Sequence, residues 1–297
     1  MNKDNKSNKE IKELYKNFFN IGQVGLLDKF EFSKEKVLRA QGSFIYTESG
    51  EKILDLTSGF GTQNLGYNHP SILNERIEFA SKEMMPFSRL FFNKSIALLS
   101  QKMALMLPGD LDYSFFCNSG AEANEVALKI ARRYGNDVGI DGPTVITMDG
   151  SFHGRTMATL SATGNPKVQQ GFEPLVPGFI HVPYGDTDAV SEAMAQNKNV
   201  VAVLVEPVQG EGGVVVPPDG YLEALRTICD RHDALLMLDE VQSGMGRTGK
   251  WFGSDTFGIE PDMINMAKGL SSGYQPIAAV GLGKRVGDAV FNSDNEW

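Results

Sequence analysis

Short apolar runs alternate with amphipathic stretches along most of this chain, and the alternation becomes regular from Tyr113 onward. The runs Tyr113–Cys117, Thr144–Met148, Phe179–Val182, Val200–Val205, Ala234–Leu238, Met263–Met266 and Ile277–Gly281 predict strands. Between them, Ala121–Tyr134, Thr187–Gln196 and Tyr221–Arg231 carry apolar residues at helical spacing. Strands apolar throughout, separated by helices, predict an α/β fold with a largely parallel sheet buried on both faces. Upstream, Ile11, Leu14, Tyr15, Phe18 and Phe19 give Ile11–Leu27 a loosely helical spacing. Ser43–Thr47 and Lys52–Leu56 predict a hairpin around Gly50, Pro70 opens a helix to about Met84, and Ser95–Leu107 gives another. With no internal repeat or low-complexity linker, the expected division is a small-domain segment over 1–57 and a large domain over 58–297.

The chemistry collects where predicted strands end. Ala234–Leu238 runs into Asp239-Glu240, and Met263–Met266 leads to Lys268. Parallel strands present functional groups at their carboxyl ends. One carboxylate and one amine brought to the same sheet edge suit pyridoxal phosphate (PLP): the lysine binds the cofactor covalently and the acid keeps its ring nitrogen protonated. Taken singly, Asp239 reads more readily as a helix cap at a strand end and Lys268 as a surface lysine.

Other strand ends are similarly dressed. Asn118-Ser119-Gly120-Ala121-Glu122-Ala123 follows a strand and opens a helix, so the N–H groups of Ser119, Gly120 and Ala121 face whatever lies beyond the helix N-terminus. An anion such as phosphate fits there, and so does an ordinary Ser119 cap. Ser151-Phe152-His153-Gly154-Arg155-Thr156 follows another strand; its aromatic can cover a flat ring and its arginine can fork a carboxylate, or they can serve as core and as a structural ion pair. Glu206-Pro207-Val208-Gln209-Gly210-Glu211-Gly212-Gly213 reads by itself as a turn.

Composition narrows the field. The chain has 297 residues and a formal charge of −9, which disfavours binding to nucleic acid or an anionic membrane. Its two cysteines, Cys117 and Cys229, allow no disulfide framework, and the four histidines show no ligand spacing, so no metal is expected. The N-terminal sequence MNKDNKSNKEIKELYKNFF lacks a secretory signal, and no run approaches the roughly 20 apolar residues of a membrane span. A cytoplasmic protein is expected.

Together the motifs resemble one family. LDEVQSGMGRTG followed by KGLSSGY, with NSGAEANEVALK and LDLTSGFGTQNLGYNHP, resembles the class III (ω-amino acid and acetylornithine-type) PLP-dependent aminotransferases of fold type I. The resemblance implies that Lys268 carries PLP and Asp239 stabilises its pyridine nitrogen. Ser119, Gly120 and Ala121 would hold the phosphate, Phe152 and Val241 the two ring faces, and Gln242 the phenolic oxygen. Glu206 would lie near the phenol side, Glu211 would face the substrate, and Arg155 is a candidate carboxylate clamp. Phe60 stands where some ornithine-type members have a tyrosine, and cannot hydrogen-bond a substrate carboxylate.

The implied reaction is transfer of an amino group from an amino acid or ω-amine to a 2-oxo acid, in a homodimer. An aminomutase or racemase, or a non-catalytic cofactor-binding fragment, would use the same cofactor residues. GNPKVQQGFEPLVPGFIHVPY looks acetylornithine-like, whereas KGLSSGYQPIAAV is closer to ω-amine:pyruvate members. The resemblance covers about the first two-thirds of a full enzyme, so a partner-donated phosphate ligand and a C-terminal small domain are expected to be missing from the sequence.

Overall fold

A computed structural model describes residues 6–83, 85 and 90–291. The chain divides into two compact units, Met1–Met84 and Met85–Trp297, which places the break C-terminal to the expected 57/58 boundary.

In the N-terminal unit the stretch expected as one helix is two, Asn8–Phe18 and Ile21–Leu27. Asn20 separates them: its side chain accepts the Gln23 N–H and starts the second helix. Ser7 and Glu10 close a capping box on the first. Strands β1 (Val37–Gln41), β2 (Phe44–Thr47) and β3 (Lys52–Leu54) form an antiparallel sheet in that order. The hairpin is as expected; β1, with no clear alternation, was not. Phe60 lies in this unit, exposed, in a left-handed turn with φ of 56°. A helix over Pro70–Ser81 follows.

The C-terminal unit is built on a seven-stranded sheet: β4 (Tyr113–Cys117), β5 (Thr144–Met148), β6 (Phe179–Val182), β7 (Val200–Val205), β8 (Leu235–Asp239), β9 (Met263–Met266) and β10 (Ala278–Leu282), in spatial order β4-β10-β9-β8-β7-β5-β6. Only β10 runs antiparallel to its neighbours, so the carboxyl ends of the other six share one edge. Two strands sit one residue later than the apolar runs predict. The polar Asp239 stays in β8, where it pairs with Asn265 of β9.

Side chains alternate between two cores because a strand turns successive residues to opposite faces. Met148, Val203, Val205, Leu236, Leu238 and Ile264 belong to one core. Val145, Ala202, Leu204, Leu235, Met237 and Met263 belong to the other. The Thr187–Gln196 and Tyr221–Arg231 helices cover the first with Val190, Met194, Leu225 and Ile228. The Gly120–Asp137 helix covers the second with Ala123, Ala127, Ile130, Ala131 and Tyr134, spaced to make one stripe.

Candidate active site

The common carboxyl edge of β4, β5, β7, β8 and β9 carries the predicted groups. Asp239 ends β8 and is buried. Its Oδ2 accepts from Asn124 Nδ2 at 2.8 Å and lies 2.7 Å from His153 Nδ1, while Oδ1 accepts from Val241 N at 3.1 Å. The neighbouring Glu240 faces away from this chemistry. Its carboxylate accepts the N–H groups of Gly253 and Ser254 at 2.7 Å each and the Ser243 hydroxyl, capping the short helix Gly253–Phe257. The acid pair in the sequence is thus one site carboxylate and one structural cap.

Lys268 lies two residues past β9 and is half-buried. Burial pushes its ammonium below the ordinary lysine range; Glu211, Asp239 and Glu206 oppose that shift and Arg247 adds to it. Three carboxylates and one guanidinium therefore act on this amine, of which Arg247 was not singled out from the sequence. Glu206 follows β7 and is buried. Its Oε2 accepts Phe152 N at 3.1 Å and its Oε1 accepts Gly210 N at 3.2 Å, so one carboxylate ties together the Phe152 and Gly210 loops. Burial, with the nearby Asp239 charge adding, pushes its pKa up to about 7.

Around these groups the loops approach closely. A Cβ at residue 120 would meet Val241 Cγ1 at 2.9 Å and Ala267 Cβ at 3.4 Å. Only glycine lets this helix start so near the ends of β8 and β9. Ser119 caps that helix by accepting Glu122 N at 3.2 Å. The first-turn N–H groups of Gly120 and Ala121 have no acceptor among the described residues. A Cβ at residue 154 would meet Ala121 Cβ at 2.8 Å, and one at residue 210 would overlap the Gln242 amide. Phe152 is partly buried beside the exposed Arg155, whose guanidinium carbon is 5.6 Å from the ring centroid. Arg155 has no ion-pair partner among the described residues.

The unit therefore gathers Ser119, Gly120, Ala121, Phe152, Glu206, Asp239, Val241, Gln242 and Lys268 onto one sheet edge, with Arg155 and Glu211 exposed in the adjoining loops. Phe60 belongs to the other compact unit. The sequence reading missed His153, Asn124 and Asn265, all buried. The available signal was a polar residue on the otherwise apolar face of a helix (Asn124) and within an apolar strand (Asn265). Among the described residues no cluster of His, Cys, Asp and Glu could hold a metal ion, and no helix is long and apolar enough to cross a membrane.

A mostly parallel α/β sheet with a buried carboxylate and a partly desolvated lysine on one edge defines a class, and the comparisons agree with it. Residues 31–295 match the family model of class-III aminotransferases, and the chain belongs to that family. It is 45% identical over 258 residues to an acetylornithine aminotransferase of Nitrosomonas europaea, covering 87% of this chain and 64% of that protein. The chain thus spans just under two-thirds of the length of that curated relative. An (S)-enantioselective ω-transaminase of Thermomicrobium roseum superposes with a TM-score of 0.88 at 30% identity, over 97% of this chain and 68% of that one. An ω-transaminase of Pseudomonas jessenii in complex with PMP gives 0.81 at 31% identity, over 86% and 61%.

Proposed function

We propose that this chain binds PLP and serves an aminotransferase reaction between an amino-acid or ω-amine donor and a 2-oxo acid. The observation that carries the reading is Lys268: a half-buried amine, pushed toward its neutral form by burial, under the influence of Asp239 at the end of the adjacent parallel strand. Neutral amines attack carbonyls and accept protons, whereas ammonium ions do neither.

The residues present fit the cofactor. The N–H groups of Gly120 and Ala121, without acceptors among the described residues, suit a phosphate at a helix N-terminus. Val241 packs against Gly120, and Phe152 is held by Glu206, giving an aliphatic and an aromatic surface for the two faces of a flat ring. Asp239 Oδ1 has one protein donor and a lone pair left for a protonated ring nitrogen. Gln242, packed against Gly210, supplies an amide for the phenolic oxygen.

When bound, PLP supplies a carbonyl that amines add to and a ring that takes up an electron pair. The rest is the work of the chain. Lys268 Nζ would hold the cofactor and, as a free neutral amine, would move a proton from the donor carbon to the carbon of the cofactor that had carried the carbonyl oxygen. Asp239 holds the ring-nitrogen proton throughout. Arg155, near the Phe152 ring and without an ion-pair partner among the described residues, is the proposed fork for a carboxylate. Exposed Glu211 is the proposed contact to a cationic or amide end of the donor.

The 45% identity to an acetylornithine aminotransferase supports a donor with a terminal amine and an acylated α-nitrogen. The exposed apolar side chains of Phe91, Phe92 and Leu105 support a homodimer, and the free cysteines Cys117 and Cys229 a reducing cytoplasm. The test is a half-reaction: PLP-loaded protein mixed with N-acetylornithine and no acceptor. Loss of the cofactor's visible absorbance, reversed by a 2-oxo acid, is expected. An unchanged spectrum with every ω-amine donor tried would contradict the reading.

A further inference from the structure

Asn124 is a buried polar side chain with three hydrogen bonds that the proposed reaction leaves unused. It lies on the Gly120–Asp137 helix, 1% exposed, on the stripe that faces the sheet. Its Nδ2 is 2.8 Å from the His153 carbonyl oxygen and 2.8 Å from Asp239 Oδ2. Its Oδ1 is 2.6 Å from Nδ2 of Asn265, itself fully buried in β9.

Chemistry fixes every orientation in this chain of contacts. A carbonyl oxygen can only accept, so the Asn124 atom facing the His153 carbonyl is the nitrogen. The other Asn124 atom is then an oxygen, and the Asn265 atom facing it must donate. The second Asn124 N–H falls on Asp239 Oδ2, which accepts it. His153 Nδ1 lies 2.7 Å from that same oxygen and has no other use for a bare lone pair, so it carries the proton. His153 Nε2 is buried with no protein partner among the described residues. Leaving it bare avoids a buried N–H without an acceptor. Oδ2 is thereby filled by two donors, and Oδ1, with Val241 N as its donor among the described residues, is the oxygen left open.

We propose that Asn124 and Asn265 are positioning residues. They fix which oxygen of Asp239 is presented at the sheet edge and fix His153 as its Nδ1–H tautomer. Asn265 stands three residues before Lys268 and pairs with Asp239 across β8 and β9. The same contact that orients the acid thus ties it to the strand that delivers the amine. A purely structural network would contribute stability and leave Asp239 and His153 unchanged. This inference rests on the PLP reading for its consequence, but its tautomer assignment stands on the protein alone.

The experiment compares wild type with Asn124→Leu and Asn265→Ala. The readouts are the 15N signals of the His153 ring, identified by their loss in His153→Gln, and the PLP dissociation constant; urea midpoints report folding. Both are recorded on the full chain, and the ring signals with and without PLP. Wild type is expected to show a protonated Nδ1 and a bare Nε2. Asn124→Leu should shift His153 toward a mixture of tautomers and weaken PLP roughly tenfold, and Asn265→Ala about threefold, the scale of one lost buried hydrogen bond. A wild-type Nε2–H tautomer or imidazolium overturns the proposal. So do His153 signals unchanged in Asn124→Leu, or PLP affinities within twofold of wild type in both variants. Should wild type itself not retain PLP, the functional reading fails, while the tautomer measurement still decides the orientation of the network.

Discussion

Replacing Glu206 by glutamine should change the pH dependence of stability more than stability itself. Glu206 is 5% exposed, and its two oxygens have one backbone N–H each, from Phe152 and Gly210. Those donors do not offset burial beside Asp239, and the carboxyl's pKa rises from 4.5 to about 7. A raised acid means that the native state keeps a proton which the unfolded chain releases. The stabilisation is complete below about pH 4.5 and is lost as pH rises through about 7. At ~1.36 kcal/mol per pKa unit, the loss across that window is about 3 kcal/mol. Glutamine keeps the shape and cannot ionise, at the cost of one misdirected N–H, about 1 kcal/mol at any pH. Urea unfolding of both proteins at half-unit steps from pH 4.5 to 8 tests this. The gap should move by about 3 kcal/mol in favour of Glu206→Gln as pH rises. Parallel curves would show that Glu206 is not held protonated, and that its two backbone donors and neighbouring His153 suffice to keep it ionised.

Further outcomes follow from individual contacts. Asp239→Asn sets an amide against Asn124 and His153; half-reaction rates should fall at least about a hundredfold, with unfolding midpoints showing whether the fold survives. Glu240→Gln, one residue on, should cost about 1–3 kcal/mol through the lost cap on Gly253 and Ser254, measured by urea unfolding, yet leave PLP affinity within a few-fold. Gly120→Ala forces a methyl to within 2.9 Å of Val241 Cγ1; PLP dissociation constants should rise by more than tenfold, whereas Gly139→Ala, with nothing within 4 Å but φ of 84°, should lower only stability.

Much of the large unit was legible because apolar runs in a doubly covered sheet have no other stable use. Thr144–Met148 and Val200–Val205 are strands to the residue for that reason. Two of the misreadings arose where a polar residue belongs to an element. Asp239 extends β8 because its backbone pairs with Asn265, and Asn20 divides an apolar stretch because its side chain starts a helix. The predicted site residues sit at strand ends, where short motifs announce them. The support beneath Asp239 was not announced. His153, Asn124 and Asn265 come from a loop, a helix and a strand, and only the sheet order brings them together. Residue pattern alone does not separate Asp239 from Glu240, since that depends on which side of the strand end each leaves; it was the family resemblance that singled out Asp239.

The central claim is that Lys268 is the amine that binds PLP. Borohydride reduction of the PLP-loaded protein, followed by proteolysis and mass spectrometry, reads the attachment point directly. The account predicts the reduced pyridoxyl mass on the peptide containing Lys268, and no such label in Lys268→Ala. Label on another lysine such as Lys250, or none in wild type, would contradict it.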